Sequence, residues 1–197
     1  LKIGAGAEQT ELIDFAEQQY FKAMRSSEEL LDGFEVERGV GTLKYGAVDL
    51  SALTKACIDA IVHRLERKQQ RLTLHRDAVL TVDGDAHWLE QLINALLTNA
   101  SKFTPIGGNI DVHLSREGSS AVIIVSDNGV GLDETDLGNV FVRYAWLKSR
   151  STNGEAQGRS TLGRALQWAR AHGGDLIASS QGPGKGSRFT VTLPIKD

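Results

Sequence analysis

The chain has 197 residues, of which 41% are apolar and 24% charged, and its formal net charge is −3. This length predicts one main domain with at most a small element attached, and the composition is typical of a globular protein. The absence of a strong basic field argues against nucleic acid as a partner. The single cysteine, Cys57, excludes an intrachain disulfide and fits a reducing compartment. Because Cys57 lies on an apolar helical face, we interpret it as a small core residue.

No apolar run approaches the ~20 residues that a membrane-spanning helix needs, and no signal peptide opens the sequence. We therefore expect a soluble, cytoplasmic piece. The first residue is not Met, which favours a fragment of a longer protein and leaves open a membrane anchor upstream. Any attachment to a membrane is expected only through regions outside this chain.

The first quarter of the chain predicts a dimerisation element and a linker. Residues 8–36 carry apolar side chains at helical spacing, with no Pro and no Gly before Gly33, which predicts a long amphipathic helix. Its apolar stripe needs a partner, which is another helix, a second copy of the chain or this chain's own body. Glycines then punctuate a linker with one short predicted strand at 42–45. We place the domain boundary here, with 1–47 as the partial dimerisation helix and linker, and 48–197 as the compact domain.

Helices and strand pairs follow one another in the compact part. Apolar spacing and capping residues predict four helices, at about 50–68, 86–102, 133–141 and 162–171. Asp49 or Ser51 caps the first of them and Asp85 the second. Alternation and short apolar runs predict strands at 71–75, 79–82, 109–115, 120–126, 175–180 and 187–193. Strand pairs joined by tight turns predict an α+β two-layer sandwich, with a mixed, mostly antiparallel sheet and the helices on one face.

Two short runs carry the strongest indication of function. Asp127 follows the apolar segment 121–125, which is typical of a buried strand, and precedes the glycine turn at 129–131. A carboxylate there suits the exocyclic amine of adenine, since guanine carries an acceptor at the corresponding position. Asn99 lies near the end of an apolar helical stretch, and its amide oxygen suits Mg²⁺, which takes its other ligands from phosphate and water. Taken singly, Asp127 is also compatible with an ordinary turn and Asn99 with a helix cap.

Five segments in this order resemble the ATP-binding catalytic domain of sensor histidine kinases. That domain belongs to the superfamily of gyrase-type topoisomerases, the large heat-shock chaperone and the mismatch-repair ATPases. The segments are 92–105, which resembles the asparagine box; 127–131, the first glycine box; 140–144, the segment that opens a lid; 158–163, the second glycine box; and 182–194, the closing hairpin. The resemblance covers residues 48–195 and implies ATP and Mg²⁺ as ligands.

The resemblance also implies a role for individual residues. Asp127 would accept a hydrogen bond from the adenine amino group, and Asn99 would coordinate Mg²⁺ on the phosphates. Lys102 would lie close to the phosphate tail, and Gly129 and Gly131 would let the backbone approach the nucleotide. The segment 145–161 would form a mobile lid, and amides at the start of the helix that follows would bind phosphate. The other implied nucleotide-binding residues are Tyr144, Gly158, Leu162, Gly163 and Ser187.

The function that the resemblance implies is that of the catalytic region of a two-component sensor histidine kinase. It would transfer the γ-phosphoryl group of Mg-ATP to a histidine, from which the group passes to an aspartate of a response regulator. Residues 8–36 resemble the second helix of the kinase dimerisation bundle, which implies a homodimer. None of the five histidines lies in 1–47, however, so the phosphoacceptor is absent from this chain and no catalytic residue is identified.

Two further departures concern the nucleotide site. If the second glycine box of the family is aligned on Leu162 and Gly163, this chain lacks one of the family's glycines. If the alignment is instead counted back without gaps from His172, Gly158 is the only one of those glycines that this chain keeps. In the asparagine box, Ala95 stands where the family has an Asn, and the neighbouring Asn94 points elsewhere. These departures leave open a degenerate pseudokinase that dimerises and regulates a partner without turnover. A serine kinase of the anti-sigma type, which has the ATP site but no bundle, is a third alternative that the predicted helix argues against.

Overall fold

The computed structural model describes residues 16, 19, 20, 43–76, 79–142, 147, 149, 151, 152 and 161–195. The helices in these ranges are α1 (Leu50–Arg67), α2 (Ala86–Phe103), α3 (Glu134–Asn139) and α4 (Thr161–Ala171). The strands are β1 (Gly46–Asp49), β2 (Arg71–Arg76), β3 (Thr81–Gly84), β4 (Asn109–Glu117), β5 (Ser120–Asp127), β6 (Asp175–Ser179) and β7 (Ser187–Pro194). The predicted α+β class is confirmed.

Five strands form the main sheet in the order β2-β4-β5-β7-β6. Only β2 and β4 run parallel, and the other neighbours are antiparallel, so the prediction of a mixed, mostly antiparallel sheet is confirmed. The pairing of β5 with β7 sets Asp127 opposite Ser187. Two residues that are 60 positions apart in the sequence are thereby brought together at one end of the sheet.

The core lies between the sheet and helices α1, α2 and α4, which pack on one face of it. Along β5, Ile123 and Val125 are buried against the helices, while Ile124 and Ser126 point to the other face and are partly exposed. The apolar stripe of α2 meets them with fully buried leucines and isoleucine, each of which contributes about 1.5–3 kcal/mol relative to an exposed side chain. These α2 residues are Leu89, Leu92, Ile93, Leu96 and Leu97.

The first strand differs from its prediction. The sequence predicts a strand at 42–45, but β1 begins at Gly46, and the strand predicted at 79–82 is found as β3 at 81–84. The reason is a pairing that is not visible locally: β1 and β3 form a separate two-stranded antiparallel sheet in which Val48 faces Val82, and both side chains are buried.

The predicted helix over 8–36 lies outside the described residues, except for Ala16, Gln19 and Tyr20, which are helical. The predicted boundary after residue 47 stays a prediction. In the part of the chain that the structure describes, no helix is long and apolar enough to cross a membrane.

The prediction that Cys57 is a core residue is confirmed. Cys57 is buried in α1, and burial raises the pKa of its thiol to about 11. His172, at the C-terminal end of α4, accepts a hydrogen bond at Nε2 from the Asp85 amide (3.0 Å) and pairs at Nδ1 with the Trp168 carbonyl (2.6 Å). The Tyr45 hydroxyl donates to the Ala171 carbonyl beside it (2.8 Å). The end of α4 is therefore tied both to the turn before α2 and to the segment that precedes β1.

Helix α1 ends in a left-handed residue that is not glycine. Gln69 has φ +50°, and the next amide, that of Gln70, donates to the Leu65 carbonyl (2.9 Å). This hydrogen bond is that of a Schellman motif, in which glycine is the usual left-handed residue because other side chains are strained there.

We expect Gln69→Gly to raise the free energy of unfolding by about 0.5–1 kcal/mol, since the relieved strain exceeds the extra chain entropy of glycine. Urea denaturation measures the difference. As a matched control, Gln167→Gly in the interior of α4 should lower the same quantity by about 1 kcal/mol. A loss of stability in Gln69→Gly would show that the Gln69 side chain makes contacts worth more than the strain.

Candidate functional site

Asp127 ends β5 with both carboxylate oxygens engaged. Oδ1 accepts a hydrogen bond from the Gly129 amide (2.8 Å), and Oδ2 accepts one from the Ser187 hydroxyl (2.6 Å). Burial raises the pKa of Asp127 above its ordinary value, and these two hydrogen bonds oppose that shift. The carboxylate is thus held in a fixed orientation in a partly desolvated place, which suits the recognition of a planar amine-bearing group.

The loop after Asp127 packs tightly onto two other segments of the chain. The Val130 amide donates to the Phe103 carbonyl at the end of α2 (3.1 Å), and the Gly184 amide donates to the Val130 carbonyl (2.7 Å). A Cβ at Gly129 would collide with the Phe103 carbonyl oxygen, and one at Gly131, where φ is +68°, would collide with the Gly182 carbonyl oxygen. Both glycines are therefore required by close approaches within the protein itself, in addition to the nucleotide contact that the resemblance implies.

A serine that the sequence analysis did not single out connects this loop to the hairpin between β6 and β7. Ser180 Oγ accepts a hydrogen bond from the Leu132 amide (3.0 Å) and donates one to the Gly186 carbonyl (2.7 Å). The loop 128–132, which follows Asp127, is consequently joined by these hydrogen bonds to the hairpin loop 180–186. A lone serine between two glycine-rich loops gives no local signal for this role.

A shallow cleft opens beside these residues, with about 310 Å³ of space when the adjoining open solvent is included. Asn99, Gly131, Leu162 and Ser187 line it, so the structure brings together four of the predicted site residues from four different segments. Its other walls, mostly apolar, are residues that the sequence analysis did not assign to the site: Phe103, Val130, Leu132, Val140, Leu147, Ser149 and Phe189. An apolar cleft with a few fixed polar groups is the usual form of a small-molecule site.

The other predicted site residues that the structure describes do not line this cleft. Asp127 lies directly behind Ser187, and Gly129 and Gly163 are buried without lining the cleft. Lys102 is half-buried in the last turn of α2, one turn beyond Asn99. Tyr144 and Gly158 lie outside the described residues, so the choice between the two alignments of the second glycine box stays open.

Asn99 is the candidate metal ligand, and its surroundings fit the chemistry of Mg²⁺. Its side chain is half-buried and faces the cleft, where a hard amide oxygen would be presented to a bound phosphate chain. Among the described residues, no group of three or more His, Cys, Asp or Glu side chains could hold a metal ion. The residues present thus fit a metal that would be shared between Asn99 and phosphate oxygens.

The family model described as histidine kinase-, DNA gyrase B- and HSP90-like ATPase matches residues 84–197, more than half of the chain. The chain belongs to this family. Together with relatives that are named as histidine kinases, this match makes it an ATP-binding catalytic domain of the histidine kinase type, as the sequence motifs predict.

Two curated relatives illustrate the similarity. The circadian input-output histidine kinase CikA of Synechococcus elongatus is 30% identical over 191 residues, which cover 90% of this chain and 25% of that protein. The adaptive-response sensory kinase SasA of a Synechococcus species is 33% identical over 195 residues, which cover 96% of this chain and 50% of that protein. The chain therefore spans a quarter to a half of the length of these relatives.

Solved structures agree with this ATP-binding domain in fold. The mycobacterial sensor histidine kinase MprB has a TM-score of 0.67 at 23% identity, covering 76% of this chain and 97% of that one. Full-length ShkA in complex with AMPPNP has a TM-score of 0.70 at 19% identity, covering 96% of this chain and 39% of that one. At these identities the likeness establishes the architecture, and the roles of single residues rest on the geometry given above.

Proposed function

We propose that the chain is the Mg-ATP-binding region of a two-component sensor histidine kinase, which donates a γ-phosphoryl group to a histidine outside this chain. The observation that carries the proposal is the convergence of Asn99 and Ser187 on one cleft, with Asp127 fixed behind Ser187. A Mg-nucleotide site requires a carboxylate that recognises the base and an oxygen ligand for the metal, and Asp127 and Asn99 are the residues suited to these two roles.

Within this site, different residues bind the base, the metal and the phosphates of the nucleotide. Asp127 accepts the adenine amino group, and the apolar side chains Val130, Leu132 and Phe189 cover the ring. Asn99 contributes an oxygen to the Mg²⁺, which when bound neutralises charge on the phosphates and orients them. Lys102 adds positive charge near the phosphate tail, and the first amides of α4 are oriented to bind phosphate oxygens. The roles of Tyr144, Gly158 and Gly163 are proposed with these.

The proposed partners follow from the same assignment. A homodimer through residues 8–36 would supply the helical bundle, and a response regulator receiver domain would accept the phosphoryl group. In support, one solved neighbour, the histidine kinase ThkA, forms a complex with its response regulator TrrA; it has a TM-score of 0.67 and is 15% identical, covering 89% of this chain and 48% of that one. Because ATP is the phosphoryl donor, we place this domain in the cytoplasm.

Calorimetric titration of the 197-residue chain tests the proposal. We expect Mg-AMPPNP to bind to one site, and the corresponding guanine nucleotide to bind at least about tenfold more weakly, since the guanine carbonyl would face the Asp127 carboxylate without a shared proton. No heat with Mg-AMPPNP or Mg-ADP would favour a degenerate module without turnover. Equal affinity for both bases would remove Asp127 from the base-binding role.

A further inference from the structure

Lys68 is a buried lysine to which the proposed nucleotide site assigns no role. It follows α1 directly, and only 3% of its surface is exposed. Its ammonium group donates hydrogen bonds to the Ser101 carbonyl (2.6 Å) and to the Thr152 hydroxyl (2.9 Å), and it also approaches the Lys102 carbonyl (3.4 Å). A buried ammonium is costly unless it is satisfied in this way, so its placement at the end of α2 requires an explanation.

The surrounding side chains complete a polar network on the last turn of α2. Gln70 donates through Nε2 to the Ser101 carbonyl (2.8 Å) and the Thr104 carbonyl (2.7 Å). The Ser101 hydroxyl donates back to Gln70 Oε1 (2.8 Å). The terminal carbonyls of a helix have no partner within the helix and carry its negative dipole end. Here Lys68 and Gln70, both contributed by the connection from α1 to β2, satisfy the carbonyls of Ser101 and Thr104.

Thr152, from a different segment of the chain, also binds to carbonyls at the end of α2. Its amide donates to the Lys102 carbonyl (3.2 Å), and its hydroxyl lies within hydrogen-bond distance of the carbonyls of Lys102 (3.0 Å) and Thr104 (2.8 Å). Thr152 belongs to the segment between α3 and α4, of which Leu147 and Ser149 line the cleft. Lys68 is therefore a common partner of that segment and of the end of α2.

The junction formed by Lys68, Thr152 and the last turn of α2 lies next to Asn99, the residue to which the proposed function assigns the metal on the phosphates. Lys102 is three residues beyond Asn99, which is a rise of about 4.5 Å along the helix. The partial negative charge at the end of α2 would disfavour a nearby phosphate chain, and a fixed cation on its carbonyls offsets that charge. A shift of the last turn would also move Asn99 relative to the cleft.

We propose that Lys68 is a positioning residue for the phosphates of the bound nucleotide, acting through the carbonyls of Ser101 and Lys102 and through Thr152. The inference rests on the proposed function of the same site. Lys68 does not line the cleft and is not expected to contact the nucleotide. Its removal should weaken the recognition of the phosphates and leave the recognition of adenosine intact.

The test compares two ligands on variants of the 197-residue chain. For Lys68→Met we expect the Kd of Mg-AMPPNP to rise by about tenfold or more, and the Kd of adenosine, measured by competition, to change by less than about twofold. Lys68→Arg, which keeps the charge, should recover part of the loss. The matched control is Lys55→Met, which removes an exposed lysine from α1 that pairs with Asp59 (2.6 Å) and should leave both constants unchanged.

Thr152→Val provides a second, milder probe if Lys68→Met does not fold. It should weaken Mg-AMPPNP by about threefold to tenfold, with Thr152→Ser near wild type. Where Lys68→Met does fold, the effects of the two substitutions should not add, because both act on one junction. Equal weakening of adenosine and Mg-AMPPNP would show a purely structural lysine and overturn the inference, as would an unchanged Mg-AMPPNP affinity in both variants. Failure of the wild-type chain to bind either ligand would instead overturn the proposed function, and this inference with it.

Discussion

Asp127→Asn is expected to weaken the binding of adenine nucleotides by about 1–3 kcal/mol, a change of about fivefold to 150-fold in Kd. The substitution keeps an acceptor for the Gly129 amide, and the Ser187 hydroxyl can rotate to accept from the new amide group. The loop therefore keeps its shape, while the ionised acceptor for the adenine amine is lost. Calorimetry with Mg-AMPPNP measures the effect.

Asp111→Asn is the matched control for this experiment. Asp111 lies on β4, on the sheet face away from the helices, where its carboxylate is 3.6 Å from His75 Nε2. Its substitution should leave nucleotide binding unchanged. An affinity in Asp127→Asn equal to that of the wild type would place the adenine elsewhere.

Asp127→Asn should also change the stability of the protein in the absence of nucleotide. Burial raises the pKa of Asp127 in the folded chain above its pKa in the unfolded chain, so protonation of Asp127 favours the folded state. This contribution to the free energy of unfolding is complete below the pKa of the unfolded chain, and it is lost as the pH rises through the pKa of the folded chain. Asn mimics the protonated form at every pH. We therefore expect Asp127→Asn to be at least as stable as the wild type at pH 7 in thermal denaturation, with the difference shrinking as the pH falls through the raised pKa. A difference that grows on acidification would contradict the assigned direction.

Asn99→Ala is expected to abolish the contribution of Mg²⁺ while preserving the recognition of the base. In the wild type, Mg²⁺ should strengthen AMPPNP binding, and in the variant that gain should disappear, because the metal loses its proposed protein ligand. In any protein that joins this chain to a phosphoacceptor helix, phosphoryl transfer should fall by at least about 100-fold. Adenosine affinity should stay within about twofold of the wild type.

The control for Asn99 is available on the same helix. Asn94→Ala removes an amide that does not line the cleft, and it should leave both the Mg²⁺ dependence and turnover unchanged. Normal turnover in Asn99→Ala would reassign the metal ligand. A loss in both variants would indicate damage to α2 as a whole.

The sequence predicts α2 to within one residue, because two independent signals coincide there. The Asp85 cap and the leucine stripe are both local, and the structure confirms each of them. The pairing of Asp127 with Ser187 was not predicted, since no local pattern connects strands 60 residues apart. The family resemblance named both residues only as separate members of the expected nucleotide site.

What the sequence missed depends on distant partners. The shift of the first strand to β1 follows from its pairing with β3, and the roles of Lys68 and Ser180 follow from carbonyl groups in other segments. A lysine after a helix is normally expected in solvent. Only the folded arrangement shows that this one is enclosed by the end of α2 and by Thr152.

The attachment of Tyr45 to the Ala171 carbonyl has a mechanical consequence. Helix α4 has 11 residues and is therefore a stiff rod of about 16 Å, with Leu162 at the cleft and Ala171 at the far end. A rigid rod transmits a displacement from one end to the other instead of absorbing it. The Tyr45 hydrogen bond therefore attaches the segment that precedes β1 to the same helix that brings Leu162 to the cleft.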